Sequence, residues 1–367
     1  MATGDKSQRI EYVDRMRGAA VFTMFLVHSA SPWLLPEVNK GTYGHVISQI
    51  SGMVAPVFMF LAGVSIAIIA GKTSQVGRDA GRDDLPVRKA LTIRALGVLA
   101  AGYGLNLAFW ACRGFGGTWT RVLKVDILQC IGVGMILTIW LMWPKKGINK
   151  GALAGLIILV SGAQLSWRLP LTEWLHGGVA AYLAYVPKMS GFPVFPYAGW
   201  VALGALVGPH WLRATKDTVA ERKFWAGLIA AALILLISSY GLKVILGTTV
   251  LGQFFEGLAV VRTTVHHFLY KMALLFALFG LARASAFALD RVRFDFLVLF
   301  GRTSLFAYCV HLILVYHLFS LFFRRSLTPV RHLLAVLSLA AVMFVLCWVW
   351  RRRSALSRAL TGRGQDD

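Results

Sequence analysis

The sequence predicts an all-α protein, a polytopic integral membrane bundle of about ten transmembrane helices with both termini in the cytoplasm. The 367 residues are 57% hydrophobic and only 15% charged, whereas soluble domains are roughly 45–50% apolar and roughly 25% charged. The mean hydropathy is +0.66. Apolar runs of about 20 residues, the length that crosses a bilayer, recur along the chain. These observations together exclude an ordinary soluble domain.

The first apolar run follows Asp14 and Arg17 and is too long for a signal peptide, so we expect it to be retained as the first span. The sixth run opens with Pro193 and Pro196, which fits a tilted or partly re-entrant helix. The ten predicted spans lie at 13–35, 46–70, 90–111, 122–143, 151–168, 192–209, 224–246, 267–287, 294–322 and 331–350.

Lysine and arginine set the orientation, because cytoplasmic loops retain them and translocated short loops avoid them. Alternate loops, starting with the N-terminal segment, carry a roughly two-to-one excess, which places both termini in the cytoplasm. We expect one transmembrane domain over 1–367, with a cytoplasmic N-terminal segment at 1–12 and a basic cytoplasmic tail at 351–367. The polar stretch at 71–89 is predicted to be a solvated connector.

The net charge of +22 indicates contact with anionic lipid headgroups of the bilayer, since the basic residues flank apolar runs. No nucleic-acid-binding module is visible, so no nucleic acid partner is expected. The cysteines form no CxxC pair and no cluster with histidine, so they read as small hydrophobic residues and no metal is expected. They are Cys112, Cys130, Cys309 and Cys347.

The first predicted helix carries three ionisable residues, Asp14, Arg17 and His28. Such groups cost about 2.5–3.5 kcal/mol each at membrane depth, so they usually face a polar interior and serve function. Arg17 and His28 are three helical turns apart, about 16 Å, and share one stripe with Asp14. This stripe can line a path from the cytoplasmic boundary to beyond the midplane, although an anchoring Arg17 and an interfacial His28 are equally reasonable when taken singly.

The ninth predicted helix carries a second polar cluster. Ser304, Tyr308 and His311 have the spacing i, i+4 and i+7 and therefore share one face. Arg302 lies near the inner end and points away from that face, where it would either snorkel to lipid phosphate or bind a substrate phosphate. Both interpretations of Arg302 stay open.

Arg17, ten intervening residues and His28 resemble the Arg-x10-His motif of the acyltransferase family 3 membrane proteins. Asp14, Arg17 and Gly18 resemble the opening of the heparan-alpha-glucosaminide N-acetyltransferase-like family. Further similarity to these families follows, in order, at APVFMFLAGVSIAI (55–68), VDILQCIGVGMIL (125–137), FPYAGWVALGALVG (195–208) and LFGRTSLFAYCVHLILVY (299–316).

The resemblance implies a membrane-embedded acyltransferase of the cell membrane. We expect this to be a bacterial inner membrane. It would move an acyl group, most simply acetyl, from cytoplasmic acetyl-CoA to an amine or hydroxyl of a sugar, glycan or other exported acceptor. An oligomer is compatible with the sequence. Acyl-CoA phosphates would bind near Arg17 with help from basic residues at the cytoplasmic side, namely Arg302, Arg94, Arg88 and Lys89.

Two residues, His28 and His45, are candidates for the reactive histidine. In the animal heparan enzyme the position matching His28 is an asparagine and the reactive histidine lies in the following luminal loop, which here offers His45. His28 is favoured because it lies on the polar stripe. It would act as general base or as a nucleophile that forms an acyl-imidazole.

Other polar residues receive supporting roles. Asp14 and His311 complete the catalytic candidates. Asp126 and Gln129, at the outer end of the fourth span, would bind acceptor hydroxyls or orient a histidine, or be solvated at the interface. Ser304 and Tyr308 would also contact the acceptor.

A function of another class fits the same stripe. A proton-coupled transporter or flippase for an anionic or glycan-lipid solute would use His28 and His311 as proton relays. Few carboxylates lie at membrane depth, and no internal repeat of the kind common in transporters stands out. The sequence therefore favours the acyltransferase.

Overall fold

A computed structural model describes residues 11–78, 85–141, 148–215, 217–248, 264–288 and 295–361. These segments are largely helical and contain no β-strand. Parts of the predicted N-terminal segment, of the 71–89 connector and of the tail lie outside them. The helices are α1 (Glu11–Trp33), α2 (Pro36–Lys40), α3 (Thr42–Arg78), α4 (Leu85–Cys112), α5 (Ile127–Trp140), α6 (Ile148–Ser166), α7 (Leu171–Trp174), α8 (Gly177–Leu183), α9 (Val194–Tyr197), α10 (Gly199–Ala214), α11 (Thr218–Thr248), α12 (Val265–Ala288), α13 (Asp295–Arg302), α14 (Ser304–Ile313), α15 (Ser320–Phe323) and α16 (Pro329–Thr361).

A helix occupies each of the ten predicted spans. Within the described ranges, six helices are long and apolar enough to cross a bilayer, and two shorter apolar helices lie at Ile127–Trp140 and Lys150–Ser166. This confirms an all-α, multi-pass membrane protein. The count of ten crossings and the cytoplasmic termini stay predictions.

The fourth and sixth predicted spans differ in extent from their helices. α5 begins only at Ile127, because Asp126 and Gln129 form a capping box that starts the helix there. The sixth span is divided into the short α9 and the longer α10, which continues through Pro209.

The ninth predicted span, 294–322, is interrupted rather than continuous. α13 ends at Arg302, and Thr303 has φ −111° and ψ 21°, which is outside the helical region. The Thr303 hydroxyl donates a hydrogen bond to the Leu299 carbonyl oxygen at 2.8 Å, a local bond that competes with regular helix geometry. After α14 the chain is π-helical over Leu314–Leu318.

The chain divides into two compact units. The first contains α1, α2, the start of α3 and the described residues from Asp295 onward. In it α1 packs against α13, α14, α15 and α16, so α1 is the central helix of this unit. Its buried core includes Phe25, Trp33 and Phe300, with the Phe25 and Phe300 rings 5.6 Å apart edge to face.

The second unit, Ala55–Arg291, is built around α10. Most residues from Gly199 to Ala205 are buried, because α10 packs against α5, α6, α9 and α11. A Cβ added at Gly204 would overlap the Phe60 carbonyl oxygen of α3, so these two backbones meet directly. Arg283 and Glu221 join α12 to α11 through two hydrogen bonds of 2.9 and 3.2 Å.

Candidate active site

The site is organised by the close crossing of α1 and α13 in the first unit. A Cβ added at Gly18 would overlap the Leu297 carbonyl oxygen, and one added at Gly301 would overlap the Asp14 carbonyl oxygen. Small residues permit such direct contact between membrane helices. This crossing brings the charged residues at the start of α1 beside the end of α13.

One buried carboxylate joins two arginines at this crossing. Arg17 Nη1 donates to Asp14 Oδ1 at 3.2 Å, and Arg302 Nε donates to Asp14 Oδ2, also at 3.2 Å. Asp14 is 2% exposed, while the Arg17 and Arg302 side chains are 18% and 29% exposed. These three described side chains together carry two positive charges and one negative charge. They form a net cationic group with partly accessible guanidinium groups, which suits an anionic ligand.

Two histidines are in contact further along α1 and on α14, the helix that follows α13. His28 Nδ1 of α1 lies 2.9 Å from His311 Nε2 of α14, and the rings stack with centroids 5.2 Å apart and planes 15° from parallel. His311 is fully buried, whereas His28 is half-buried. Sequence analysis predicted both residues as catalytic candidates, and the structure adds that they touch.

The hydrogen bonds assign the protons of this pair. His311 Nδ1 lies 2.8 Å from the Ala307 carbonyl oxygen, which can only accept, so this nitrogen carries the proton in the neutral ring. His311 Nε2 then has the lone pair and accepts from His28 Nδ1–H. Consequently Nε2 is the basic nitrogen of His28. This chain of bonds gives His28 the tautomer that a general base or a nucleophile needs.

Aromatic rings enclose the pair. Phe25 lies 5.3 Å from the His311 ring, and Tyr308 lies 5.6 Å from His311 and 6.4 Å from His28 between ring centroids. Ser304, one turn before Tyr308 on α14, is half-buried on the same side. The predicted acceptor contacts Ser304 and Tyr308 therefore lie on the helix that carries His311.

The arginine cluster and the histidine pair are aligned along parallel helices. α1 runs from Arg17 to His28, a rise of about 16 Å, and the α13–α14 segment runs from Arg302 to His311, a rise of about 13 Å. Half of the roughly 30 Å hydrocarbon core is a similar distance. The first unit thus joins a cationic end to the basic nitrogen of the half-buried His28, about half a bilayer away.

Comparison with known protein families identifies the family of this chain. The model of the heparan-alpha-glucosaminide N-acetyltransferase catalytic domain matches residues 9–248, well over half of the chain. The chain belongs to this family. No curated protein sequence matches it in a direct comparison. The resemblance to the heparan-alpha-glucosaminide N-acetyltransferase-like family, predicted from Asp14, Arg17 and Gly18, is confirmed, and membrane-bound acetyl transfer is the activity associated with the family.

The matched region of this N-acetyltransferase family member contains α1 but ends before α13. Asp14, Arg17 and His28 lie inside the match, whereas Arg302 and His311 lie beyond it. The two residues outside the match are nevertheless those that contact Asp14 and His28. The site of this chain is therefore assembled from the matched region and from the sequence that follows it.

His45, the alternative reactive histidine, has a different environment. It is exposed on α3, and its Nε2 lies 3.4 Å from Gln49 Nε2 one turn away. Tyr43, two residues earlier, faces His332 of α16, and residues two apart point to widely separated sides of a helix. His45 thus lies outside the buried histidine pair, and its catalytic role stays a prediction.

The remaining predicted donor contacts lie in the second unit. Arg88, Lys89 and Arg94 occupy the first turns of α4, where Arg88 is half-buried and the other two are exposed. Their role in donor binding stays a prediction. Among the described residues, no three His, Cys, Asp or Glu side chains lie close enough together to hold a metal ion.

Asp126 and Gln129 have a structural role at the start of α5. Asp126 Oδ1 accepts from the Ile127 N–H at 2.9 Å, Gln129 Oε1 accepts from the Asp126 N–H at 3.1 Å, and Lys124 bonds Asp126 Oδ2 at 2.7 Å. Gln129 is 1% exposed, and its Nε2 has no hydrogen-bond partner among the described residues. Of this pair, Gln129 is the better candidate for an acceptor hydroxyl, since a buried amide donor needs a partner.

A tyrosine pair lies in the same unit. The hydroxyls of Tyr103 and Tyr182 are 2.5 Å apart. Burial, together with the hydrogen bond to Tyr103, raises the pKa of Tyr182 well above its usual range. This tyrosine therefore stays neutral and keeps its hydroxyl proton at every physiological pH.

A third buried histidine was not predicted from the sequence. His332 of α16 is 0% exposed, and its Nε2 lies 2.8 Å from Ser29 Oγ while its Nδ1 lies 2.9 Å from the Tyr43 hydroxyl. The partners are up to 303 residues apart in sequence, so spacing could not reveal them. The sequence signal available was a single histidine in an apolar run, which usually has a structural role.

Proposed function

We propose that this protein transfers an acetyl group from cytoplasmic acetyl-CoA to an amine or hydroxyl of a sugar or glycan acceptor on the outer side of the membrane. The observation that supports this most directly is the alignment of a net cationic cluster with a buried histidine pair on parallel helices of one unit. Family membership supplies the acetyl group as the expected cargo.

The donor would bind with its phosphates at Arg17 and Arg302. Asp14 holds both guanidinium groups in place through its two carboxylate oxygens, and the excess positive charge favours a phosphate there. Because Asp14 is buried and bonded to both arginines, its proposed role is to position them. The acyl arm would extend along α1 toward His28.

The chemistry would take place at His28 Nε2. In one route this nitrogen accepts the proton of the acceptor amine or hydroxyl as that atom attacks the acetyl carbonyl carbon, and the proton then passes to the departing sulfur. In the other route Nε2 attacks first, the carbon–sulfur bond breaks, and the acceptor later displaces the imidazole. In both, His311 Nε2 accepts from His28 Nδ1–H and stabilises the positive charge that develops on His28.

The acceptor would contact polar groups of the first unit. Ser304 and Tyr308 lie on α14 beside His311. Sugar hydroxyls both donate and accept hydrogen bonds, so they match the hydroxyl groups of these two residues. Acetylation by this arrangement would modify an exported glycan while the donor stays in the cytoplasm.

The test is to incubate the purified protein with radiolabelled acetyl-CoA, with and without a membrane glycan extract, and to measure CoA release and label transfer. We expect His28→Ala to lower turnover by about 10²–10⁴-fold, the usual contribution of a general base. Arg17→Ala should raise the KM for acetyl-CoA by about tenfold to a hundredfold, since a charged hydrogen bond contributes about 1.5–3 kcal/mol.

His45→Ala is the matched control, because it removes the alternative histidine from an exposed position. Loss of turnover in His45→Ala with retention in His28→Ala would move the reactive centre to His45. If wild-type protein neither binds nor consumes acetyl-CoA, the proposal fails. Solute uptake by proteoliposomes would then test the transporter alternative.

A further inference from the structure

The end of α1 is held between two other helices by two consecutive residues. His28 bonds His311 on α14, and Ser29 bonds His332 on α16. Neighbouring residues on a helix point about 100° apart, so the two hydrogen bonds extend from α1 in different directions. Within the packing of α1, the two bonds therefore restrain its rotation from two sides.

The protons of the second contact can be assigned from its neighbours. Ser29 Oγ lies 2.7 Å from the Phe25 carbonyl oxygen and 3.0 Å from the Leu26 carbonyl oxygen, so its single proton is donated to the backbone. Oγ therefore accepts from His332 Nε2–H. The lone pair of His332 Nδ1 then accepts from the Tyr43 hydroxyl. His332 thus has the tautomer opposite to that of His28 and His311.

Bonds to neighbouring segments support this end of α1. Pro32 lies inside the helix and has no N–H to donate to the preceding turn, and the serine-to-backbone bonds of Ser29 tend to bend a helix. The side-chain bonds of His28 and Ser29 therefore act together with the backbone bonds that the 325–327 segment makes to Pro32 and Trp33. Ser29 and His332 are both fully buried, and the bonds within this buried polar network make it rigid.

We propose that His332 is a positioning residue of the transfer reaction: through Ser29 it fixes the rotation of α1 and with it the direction of His28 Nε2. This inference rests on the proposed role of His28. It does not require His332 to touch either substrate, and its network of Ser29 and Tyr43 ends on the backbone carbonyls of α1. Tyr43 contributes by holding the His332 tautomer.

The kinetic test compares His332→Leu, His332→Gln and Tyr43→Phe with wild type. We expect His332→Leu to lower kcat by about tenfold to a hundredfold, as a displacement of about 1 Å at a reacting group does. The KM for acetyl-CoA should stay within about twofold, because the arginine cluster lies about 16 Å away along α1. His332→Gln should recover activity, since its amide can donate to Ser29 and accept from Tyr43.

Ser338→Ala on the same helix is the control, because Ser338 is exposed and, among the described residues, bonds only the Leu334 carbonyl oxygen at 3.0 Å. Thermal unfolding in detergent separates positioning from folding. A lower midpoint with unchanged kcat per folded molecule would overturn the proposal, as would a parallel rise in KM and fall in kcat.

A second measurement does not depend on turnover. Nitrogen NMR of histidine-labelled protein should show His332 protonated at Nε2 and His28 protonated at Nδ1. In His332→Leu the His28 signal should shift or broaden, because its bond to His311 loses its fixed geometry. An unchanged His28 signal would overturn the positioning role even if acetyl transfer itself were never observed, whereas absence of turnover with a shifted signal would count against the proposed function alone.

Discussion

At the scale of single residues, His28 and His311 differ in accessibility and therefore in the work each can do. His311 is fully buried, with both ring nitrogens engaged by Ala307 and His28. His28 is half-buried and presents its second nitrogen away from that bond. The pair thus resembles a base and its orienting partner, the arrangement that activates histidine in many transferases and hydrolases.

Replacing His311 tests this division of work. In His311→Leu the His28 Nδ1–H loses its acceptor, which costs about 1–3 kcal/mol for a buried donor, and the lone pair of His28 is no longer fixed at Nε2. We expect kcat at saturating acetyl-CoA to fall further in His311→Leu than in His311→Gln, whose amide oxygen can still accept. An equal fall in kcat in the two variants would mean that His311 contributes by filling space and not by hydrogen bonding.

Sequence reasoning predicted these residues but not their partners. His28 and His311 were both predicted as catalytic because ionisable groups are rare in apolar runs. Their contact, and the contacts of Asp14 with Arg302 and of Ser29 with His332, join positions that are 283 to 303 residues apart. Such pairings depend on how helices pack, and periodicity within one helix holds no information about them.

At the scale of secondary structure elements, the crossing of α1 and α13 determines whether the arginine cluster can form. Gly18→Ala would place a methyl group on the Leu297 carbonyl oxygen, and backbone cannot yield as a flexible side chain can. Overpacking of this kind costs about 1–3 kcal/mol. We expect a lower thermal midpoint in detergent together with a raised KM for acetyl-CoA, because Arg302 would move away from Asp14.

Gly104→Ala is the matched control for Gly18→Ala. Among the described residues, no atom beyond the adjoining backbone of α4 lies within 4 Å of a Cβ added at Gly104. The substitution should leave the KM unchanged, and it should not lower the midpoint, since alanine favours a helix over glycine by about 1 kcal/mol. A similar loss at both positions would show that helical glycine, and not the crossing, is responsible.

The element boundaries show what the apolar pattern can and cannot predict. Continuous hydrophobicity over 294–322 predicted one helix, and the break at Thr303 was missed because threonine is tolerated inside helices. The fourth span was predicted too long at its start, because the apolar residues before Asp126 extend the hydrophobic run although they lie outside α5. Hydropathy records which residues avoid water, whereas helix ends depend on individual hydrogen bonds.

At the scale of the whole molecule, the composition and the recurring apolar runs of about 20 residues predicted an all-α membrane protein. The chain is 57% hydrophobic, and runs of that length cross a bilayer as helices whose backbone hydrogen bonds are satisfied within the helix. The grouping of both chain ends into one compact unit was not predictable, because no internal repeat or linker marks it. The family match, which ends at residue 248, likewise does not reveal that α14 completes the histidine pair.

The orientation of the molecule can be tested with a cysteine that the protein already has. The excess of basic residues predicts that α4 runs from the cytoplasm outward, so Cys112 at its exposed end should lie outside. A membrane-impermeant maleimide should therefore label Cys112 in intact cells. Cys112→Ser should abolish that labelling, since Cys130 and Cys347 are buried and the half-buried Cys309 lies within the ninth predicted span. In the Cys112→Ser background, a cysteine appended at the C-terminus should react only after the membrane is permeabilised. Labelling of that terminal cysteine in intact cells would reverse the orientation, place the arginine cluster on the outer side and remove the access of cytoplasmic acetyl-CoA to Arg17.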